Sequence, residues 1–151
     1  NSNKIQSVLF CCDLNSVRSP MAEGICKKLY GFSIFVQSAG VSTNAEVDPF
    51  AVEVCEELDI TLEKHRSRSF KEMEDWGDDI SSFDLIIALS PASQRHALEY
   101  TRYFSLNIEY WSVLDPTDIG DSRTIKLNAY RTTRDQILKN IMQRFDSIVA
   151  K

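Results

Sequence analysis

Ser7-Val8-Leu9-Phe10-Cys11-Cys12-Asp13-Leu14-Asn15-Ser16-Val17-Arg18-Ser19-Pro20 reads as a strand, a short loop and the start of a helix. Ser7–Cys11 is short and apolar, the pattern of a buried strand. From Pro20 onward Ala22, Ile25, Cys26 and Leu29 share one helical face, and proline suits the first helical position. A loop between a strand and a helix N-terminus gathers unpaired backbone N–H groups at the positive end of the helix dipole. An anion is expected there, and so is an acidified thiol.

The spacing Cys12, five residues, Arg18-Ser19 suits a phosphate dianion held against a thiolate. The thiolate is the nucleophile, and helix N-termini and nearby arginines bring thiol pKa values down to roughly 3.5–7.5. Successive N–H groups from Asp13, Leu14, Asn15, Ser16 and Val17 can form a concave nest for phosphoryl oxygens. Arg18 offers a planar fork that grips two oxygens at once. Ser19 is placed to donate a hydrogen bond to the sulfur. Attack by Cys12 would give a phosphocysteine that water later hydrolyses.

Further along, the chain repeats the alternation of strand and helix. Strands are predicted at Ser7–Cys11, Ile34–Ser38, Leu85–Leu89 and Ile108–Trp111. Helices are predicted at Pro20–Leu29, Pro49–Leu58, Pro91–Tyr100 and Ile125–Val149. In the last, Ile137, Leu138, Ile141, Met142, Phe145, Ile148 and Val149 form a core-facing stripe. Such alternation implies a parallel sheet with helices on both faces. Glu72–Asp79, acidic and with Trp76 in its middle, reads as a solvated short helix or loop.

Val8-Leu9-Phe10-Cys11-Cys12, Asn15 and Arg18-Ser19-Pro20-Met21-Ala22-Glu23 closely resemble the signature of the low-molecular-weight protein tyrosine phosphatases. The resemblance continues through Ser38-Ala39-Gly40, the segment from Asp48-Pro49 to His65-Arg66-Ser67-Arg68, the strand Phe83–Leu89, and Asp115-Pro116. It spans about Ile5 to Val149 in the family's order. It implies one domain over residues 1–151, a three-layer α/β sandwich around a four-stranded parallel sheet, and hydrolysis of phosphotyrosine or another aryl phosphomonoester. No cofactor or metal is implied. The implied partners are a phosphorylated protein or a small aryl phosphate, with a phosphate or sulfate ion suited to the site.

The resemblance also assigns roles. Cys12 would be the nucleophile, Arg18 the phosphate clamp and Asp115 the general acid that later activates water. Asn15, Ser19, Ser38 and His65 match a supporting hydrogen-bond network, which makes His65 structural rather than a base. Open parallel sheets place sites beyond the strands' carboxyl ends, near a switch in strand order. That is how Cys12 and Asp115 could meet. Asp48-Pro49, the other Asp-Pro, reads as an N-cap followed by proline at the first helical position. Asp118 and Asp121 are reserve candidates for the acid, and His96 reads as a surface or boundary residue without a role.

A chain of 151 residues, 26% charged and 43% hydrophobic, fits one globular domain with a substantial core. The net charge of −5 argues against a general nucleic-acid binder, which favours a basic face. No apolar run approaches the ~18 residues of a membrane span, and no signal-peptide pattern opens the chain. The four cysteines have no disulfide-framework spacing. Cys26 and Cys55 fall on apolar helix faces, and Cys11 reads as a buried strand-end residue rather than a redox switch. A cytoplasmic location is expected.

Departures from the family pattern concern the substrate. Asp13 and Leu14 replace small residues, and Asp13 sets a negative charge beside an anion site. Thr117 and Asp118 stand where aromatics often flank a phenyl ring, and Val41–Val47 contains no aromatic wall. Ring stacking contributes about 0.5–1.5 kcal/mol beyond burial, so preference for phosphotyrosine should weaken. Ser90, where the family often has Asp, should loosen the network. Two rivals fit the same residues. One is an arsenate reductase using a small external thiol, since Leu89–Tyr100 lacks the cysteines of a thioredoxin-coupled relay. The other is a non-catalytic oxyanion-binding protein.

Overall fold

In the computed structural model, which describes residues 4–43 and 46–149, four parallel strands form one sheet in the order β2-β1-β3-β4. The strands are β1 (Ser7–Cys12), β2 (Phe35–Gly40), β3 (Leu85–Ala88) and β4 (Ile108–Tyr110). The helices are α1 (Arg18–Tyr30), α2 (Pro49–Glu56), α3 (Phe70–Asp75), α4 (Pro91–Glu99) and α5 (Arg123–Val149). Strand order reverses between β1 and β3, so the loop after β1 opens at the crevice where such sheets bind ligands.

Alternation along β1 builds the three layers. Val8, Phe10 and Cys12 pack into the cluster that includes residues of α1, α2 and α5. Leu9 and Cys11 face the other cluster, with Phe70, Met73 and Ala97. Two-residue periodicity therefore puts the adjacent thiols on opposite faces of the sheet. All these strand residues are buried, as a strand covered on both sides requires.

Element boundaries differ in places that matter. Helix α1 begins at Arg18, not at Pro20, and its N-cap Val17 makes no side-chain capping bond. Pro20 is thus the third helical residue, still within the first turn, where no intrahelical N–H is required. The predicted 72–79 segment is α3 plus a turn. Its capping box at Ser69 and Glu72 and its buried Phe70 and Met73 make it an anchored helix rather than a solvated one. In α5, Ile137, Ile141 and Phe145 are buried and Leu138 packs against the core. Met142 is 42% exposed, because it lies off the stripe that faces α1. The side chains of Ile148 and Val149 lie outside the described residues.

Candidate active site

The phosphate-sized loop owes its shape to what its carbonyls do. Those of Cys12, Asp13 and Ser16 accept from the amides of Val41 (3.0 Å), Ser42 (3.0 Å) and Asp48 (2.9 Å). In a trans peptide the next N–H points the opposite way. The amides of Asp13, Leu14 and Val17 are therefore turned away from those partners, toward the cleft. Asn15 takes a φ of 54°, a left-handed conformation that asparagine tolerates better than most residues. Gly40 faces the loop from β2, and a Cβ there would lie 2.6 Å from the Asn15 amide nitrogen and 2.5 Å from the Ser42 carbonyl oxygen. Only glycine lets the two segments approach this closely.

Behind the loop, buried polar side chains form a directed chain. The Arg68 amide donates to Asn15 Oδ1 at 2.9 Å, which fixes the orientation of that side-chain amide. Asn15 Nδ2 then donates to Ser19 Oγ (2.8 Å) and Ser38 Oγ (2.9 Å). Since Ser19 Oγ accepts from Asn15, its own proton is free for Cys12 Sγ, 2.9 Å away. Ser38 in turn donates to Glu23 Oε1 at 2.5 Å. His65 Nε2 donates to Asn15 Oδ1 at 3.0 Å, and its Nδ1 lies 3.6 Å from Glu23 Oε1. Asn15, Ser19 and Ser38 are fully buried, so the structure brings all four expected network residues together.

Glu23 closes this network, and the sequence reading gave it no role. Burial alone would raise its carboxyl pKa. Hydrogen bonds and charge from His65 and Lys27 outweigh that and hold it at about 2. Its signal was present: a carboxylate one turn after Ser19, on the helical face that is otherwise core. Arg68 was also missed as a member. Besides its amide bond to Asn15, its guanidinium bonds Ser38 O, Asp78 and Gln37.

Arg18 is held from behind and open in front. Nη1 donates to the carbonyls of Leu89 (3.2 Å) and Val113 (3.4 Å). Nη2 lies 3.6 Å from both Asp13 Oδ2 and Asp115 Oδ2. These residues line a cleft of about 160 Å³, together with Cys12, Leu14, Ser16, Val17, Asp48 and Thr117. Asp115 thus meets the loop despite its distance in sequence, while Asn15 turns back into the network. The reserve acids Asp118 and Asp121 do not line this cleft.

Asp115 also opens a turn. Its Oδ1 accepts from the Thr117 amide (3.1 Å) and hydroxyl (2.8 Å), leaving Oδ2 toward Arg18. Asp48 caps α2 through Phe50 N (2.8 Å) and accepts from Tyr130 at 2.7 Å, so its N-cap role holds even at the cleft wall. Ser90 is occupied locally. It caps α4 by accepting from the Ser93 amide at 3.2 Å, within a local Ser90–Ser93 pair, and makes no bond to the Cys12 network. His96, half-buried, packs its ring tilted against Phe70 and edge-on to Tyr100.

The cysteines divide clearly. Burial pushes the Cys26 and Cys55 thiols up to about 12 and pushes Cys11 up as well. Cys11 donates to Ile87 O within the core. Of the four, only Cys12 lines the cleft. Among the described residues no group of His, Cys, Asp and Glu could hold a metal ion, and no helix is long and apolar enough to cross a membrane.

This loop, its arginine and the four-stranded parallel sheet define a cysteine-loop phosphatase architecture. The family model for low molecular weight phosphotyrosine protein phosphatase matches residues 7–151, and the chain belongs to that family of enzymes. A protein-arginine-phosphatase of Bacillus subtilis is 33% identical over 151 aligned positions, covering 90% of this chain and 92% of the relative. A glutaredoxin arsenate reductase of Synechocystis is 30% identical, covering 97% and 98%. An arsenate reductase solved in its phosphate-binding state superposes with a TM-score of 0.76 at 26% identity, over 95% of this chain and 99% of that one. A Cys-to-Ser mutant of the YwlE arginine phosphatase, carrying a phosphorylated active-site serine, gives 0.73 at 26% identity, over 95% and 96%.

Proposed function

We propose that the protein hydrolyses phosphoryl groups through a phosphocysteine on Cys12. The thiolate Sγ attacks phosphorus while the loop amides and Arg18 hold the equatorial oxygens. The bond to the leaving group breaks, and Asp115 supplies its proton. Asp115, now a carboxylate, takes a proton from water, whose oxygen attacks phosphorus and releases the thiolate with inorganic phosphate. Ser19 stabilises the sulfur as an anion in both steps. The observation behind this reading is the shared anchor: Arg18 Nη2 lies 3.6 Å from Asp115, and Cys12 and Arg18 line one cleft. The phosphorylated serine in the related arginine phosphatase mutant supports a phosphoenzyme at the equivalent point of the reaction.

The leaving group has a second reading. The cleft carries Asp13, Asp48 and Asp115 and no aromatic side chain, which favours a leaving group with N–H donors and positive charge over a phenyl ring. A phosphorylated arginine side chain has both, and one relative is a protein-arginine-phosphatase. Turnover of para-nitrophenyl phosphate and of a phosphoarginine peptide by the parent, Cys12→Ser and Asp115→Asn proteins tests both. The parent is expected to release phosphate, with Cys12→Ser inactive. Arsenate reduction with a small thiol but no phosphate release would replace this reading with a reductase. Oxyanion binding with neither reaction would make the protein a binder.

A further inference from the structure

A second cavity, of about 330 Å³, lies on the other side of Glu23 and His65 from the phosphate loop. Its wall carries Lys27, Lys64, Arg66 and Arg68, with Glu23 the one carboxylate. Four cations against one acid is a concentrated reversal of sign in a chain whose net charge is −5. Two of the four are already committed: Lys27 to Glu23 at 2.6 Å and Arg68 to Asp78 at 2.9 Å. Lys64 and Arg66 make no ion pair among the described residues. Arg66 instead lies over the ring of Trp76, 5.1 Å from its centre, with Arg68 at 5.4 Å. The indole thus gathers two guanidinium groups at one rim of the cavity.

We propose that this cavity is a second anion site, taking a phosphate group, and that it is wired to the catalytic loop through His65 and Glu23. Arginine forks and a lysine ammonium match the oxygens of a phosphate, and the volume falls in the range of small-ligand sites. An anion there competes with Glu23 for Lys27 and His65. Glu23 also accepts a hydrogen bond from Ser38, and Ser38 and His65 both bond Asn15. Occupancy therefore changes how firmly Asn15 presents Ser19 to the Cys12 sulfur, and linkage makes that coupling reciprocal. The phosphate is either free or borne on a protein side chain.

Calorimetric titration of the Cys12→Ser protein with inorganic phosphate at low ionic strength tests the site without requiring turnover. Two sites are expected, and the Lys64→Gln/Arg66→Gln double variant should retain only one. The indole N–H resonance of Trp76 should shift on titration in the first protein and not in the second. A single site in both proteins, or two sites in the double variant, overturns the proposal. Repeating the titration with a phosphoserine peptide separates the sources: at least tenfold tighter binding at the second site points to a phosphoprotein, equal or weaker binding to the free ion. The wiring is read in the active parent at saturating aryl phosphate, where competition at the catalytic cleft vanishes. There kcat should change at least twofold with added phosphate and stay constant in the double variant. An unchanged kcat in the parent removes the wiring.

Discussion

The Arg68 amide and the Asn15 side-chain oxygen, 2.9 Å apart, set the direction of the side-chain hydrogen bonds that run from Asn15 through Ser19 and Ser38. Because a backbone N–H can only donate, Asn15 must present its NH2 to Ser19 and Ser38. The Ser19 proton is then left for sulfur. In the proposed mechanism the Ser19→Ala change removes one hydrogen bond to the attacking sulfur, and a charge-assisted bond of that kind is worth about 1.5–3 kcal/mol. The expected result is a fall in kcat of roughly 10- to 100-fold with little change in KM, read by steady-state kinetics on an aryl phosphate.

Asp115→Asn keeps the turn with Thr117 but supplies no proton to a departing oxygen. Its effect should grow with the basicity of the leaving group. A plot of log kcat against leaving-group pKa, nearly flat for the parent, should acquire a clear negative slope.

With Arg18 as the proposed phosphate clamp, Asp13 would compete with substrate for its guanidinium. Its side chain is about half exposed (49%) at 3.6 Å from Nη2, so the contact is worth no more than about 1 kcal/mol. Asp13→Asn should tighten inhibition by inorganic phosphate by about two- to fivefold. If the leaving group is a guanidinium, the same change should weaken KM for a phosphoarginine peptide while improving it for an aryl phosphate.

Glu23 makes the fold acid-sensitive. Its carboxyl is held at about 2 in the native protein, against about 4.3 in an unfolded chain. The unfolded state therefore binds the proton more readily. The resulting stabilisation, about 3 kcal/mol, is complete above about pH 5 and lost as pH falls from about 4.3 through about 2. Denaturant melts between pH 2 and 7 should show this loss in the parent and a flatter profile for Glu23→Gln.

Gly40→Ala should be among the most damaging small changes. Its methyl would press on backbone atoms of Leu14, Asn15 and Ser42 within 2.8 Å, where neither side can yield without moving the loop. A loss of roughly 1–3 kcal/mol in stability should accompany loss of phosphate binding, measured by melts and calorimetry.

Much of this was legible in the residues. Short apolar runs alternating with helical stripes predicted the strands to within two residues at each end, because a strand covered on both faces is a short continuous apolar run whose length sets it apart from the longer helical stripes. The Cys12–Ser19 loop was readable because its chemistry needs neighbours in sequence. Glu23 and Arg68 were not, since their roles depend on strands β1 and β2 bringing distant side chains beside Asn15. The start of α1 was misplaced because Pro20 marks a helix's first turn without marking which position in it. The capping role of Ser90 was not drawn from the sequence, although a serine before Pro91 is a common helix cap.

Both carbonyls that grip Arg18 Nη1 lie just past strand ends, at Leu89 beyond β3 and at Val113 beyond β4. The guanidinium is thus referenced to the rim of the sheet and not to the excursion between residues 90 and 107. That excursion can lengthen, shorten or change its surface among descendants of this chain without moving the guanidinium, whereas a one-residue slip of either strand would swing it out of alignment with the loop. Diversity in this lineage should therefore accumulate in the α4 crossover while the strand exits stay fixed.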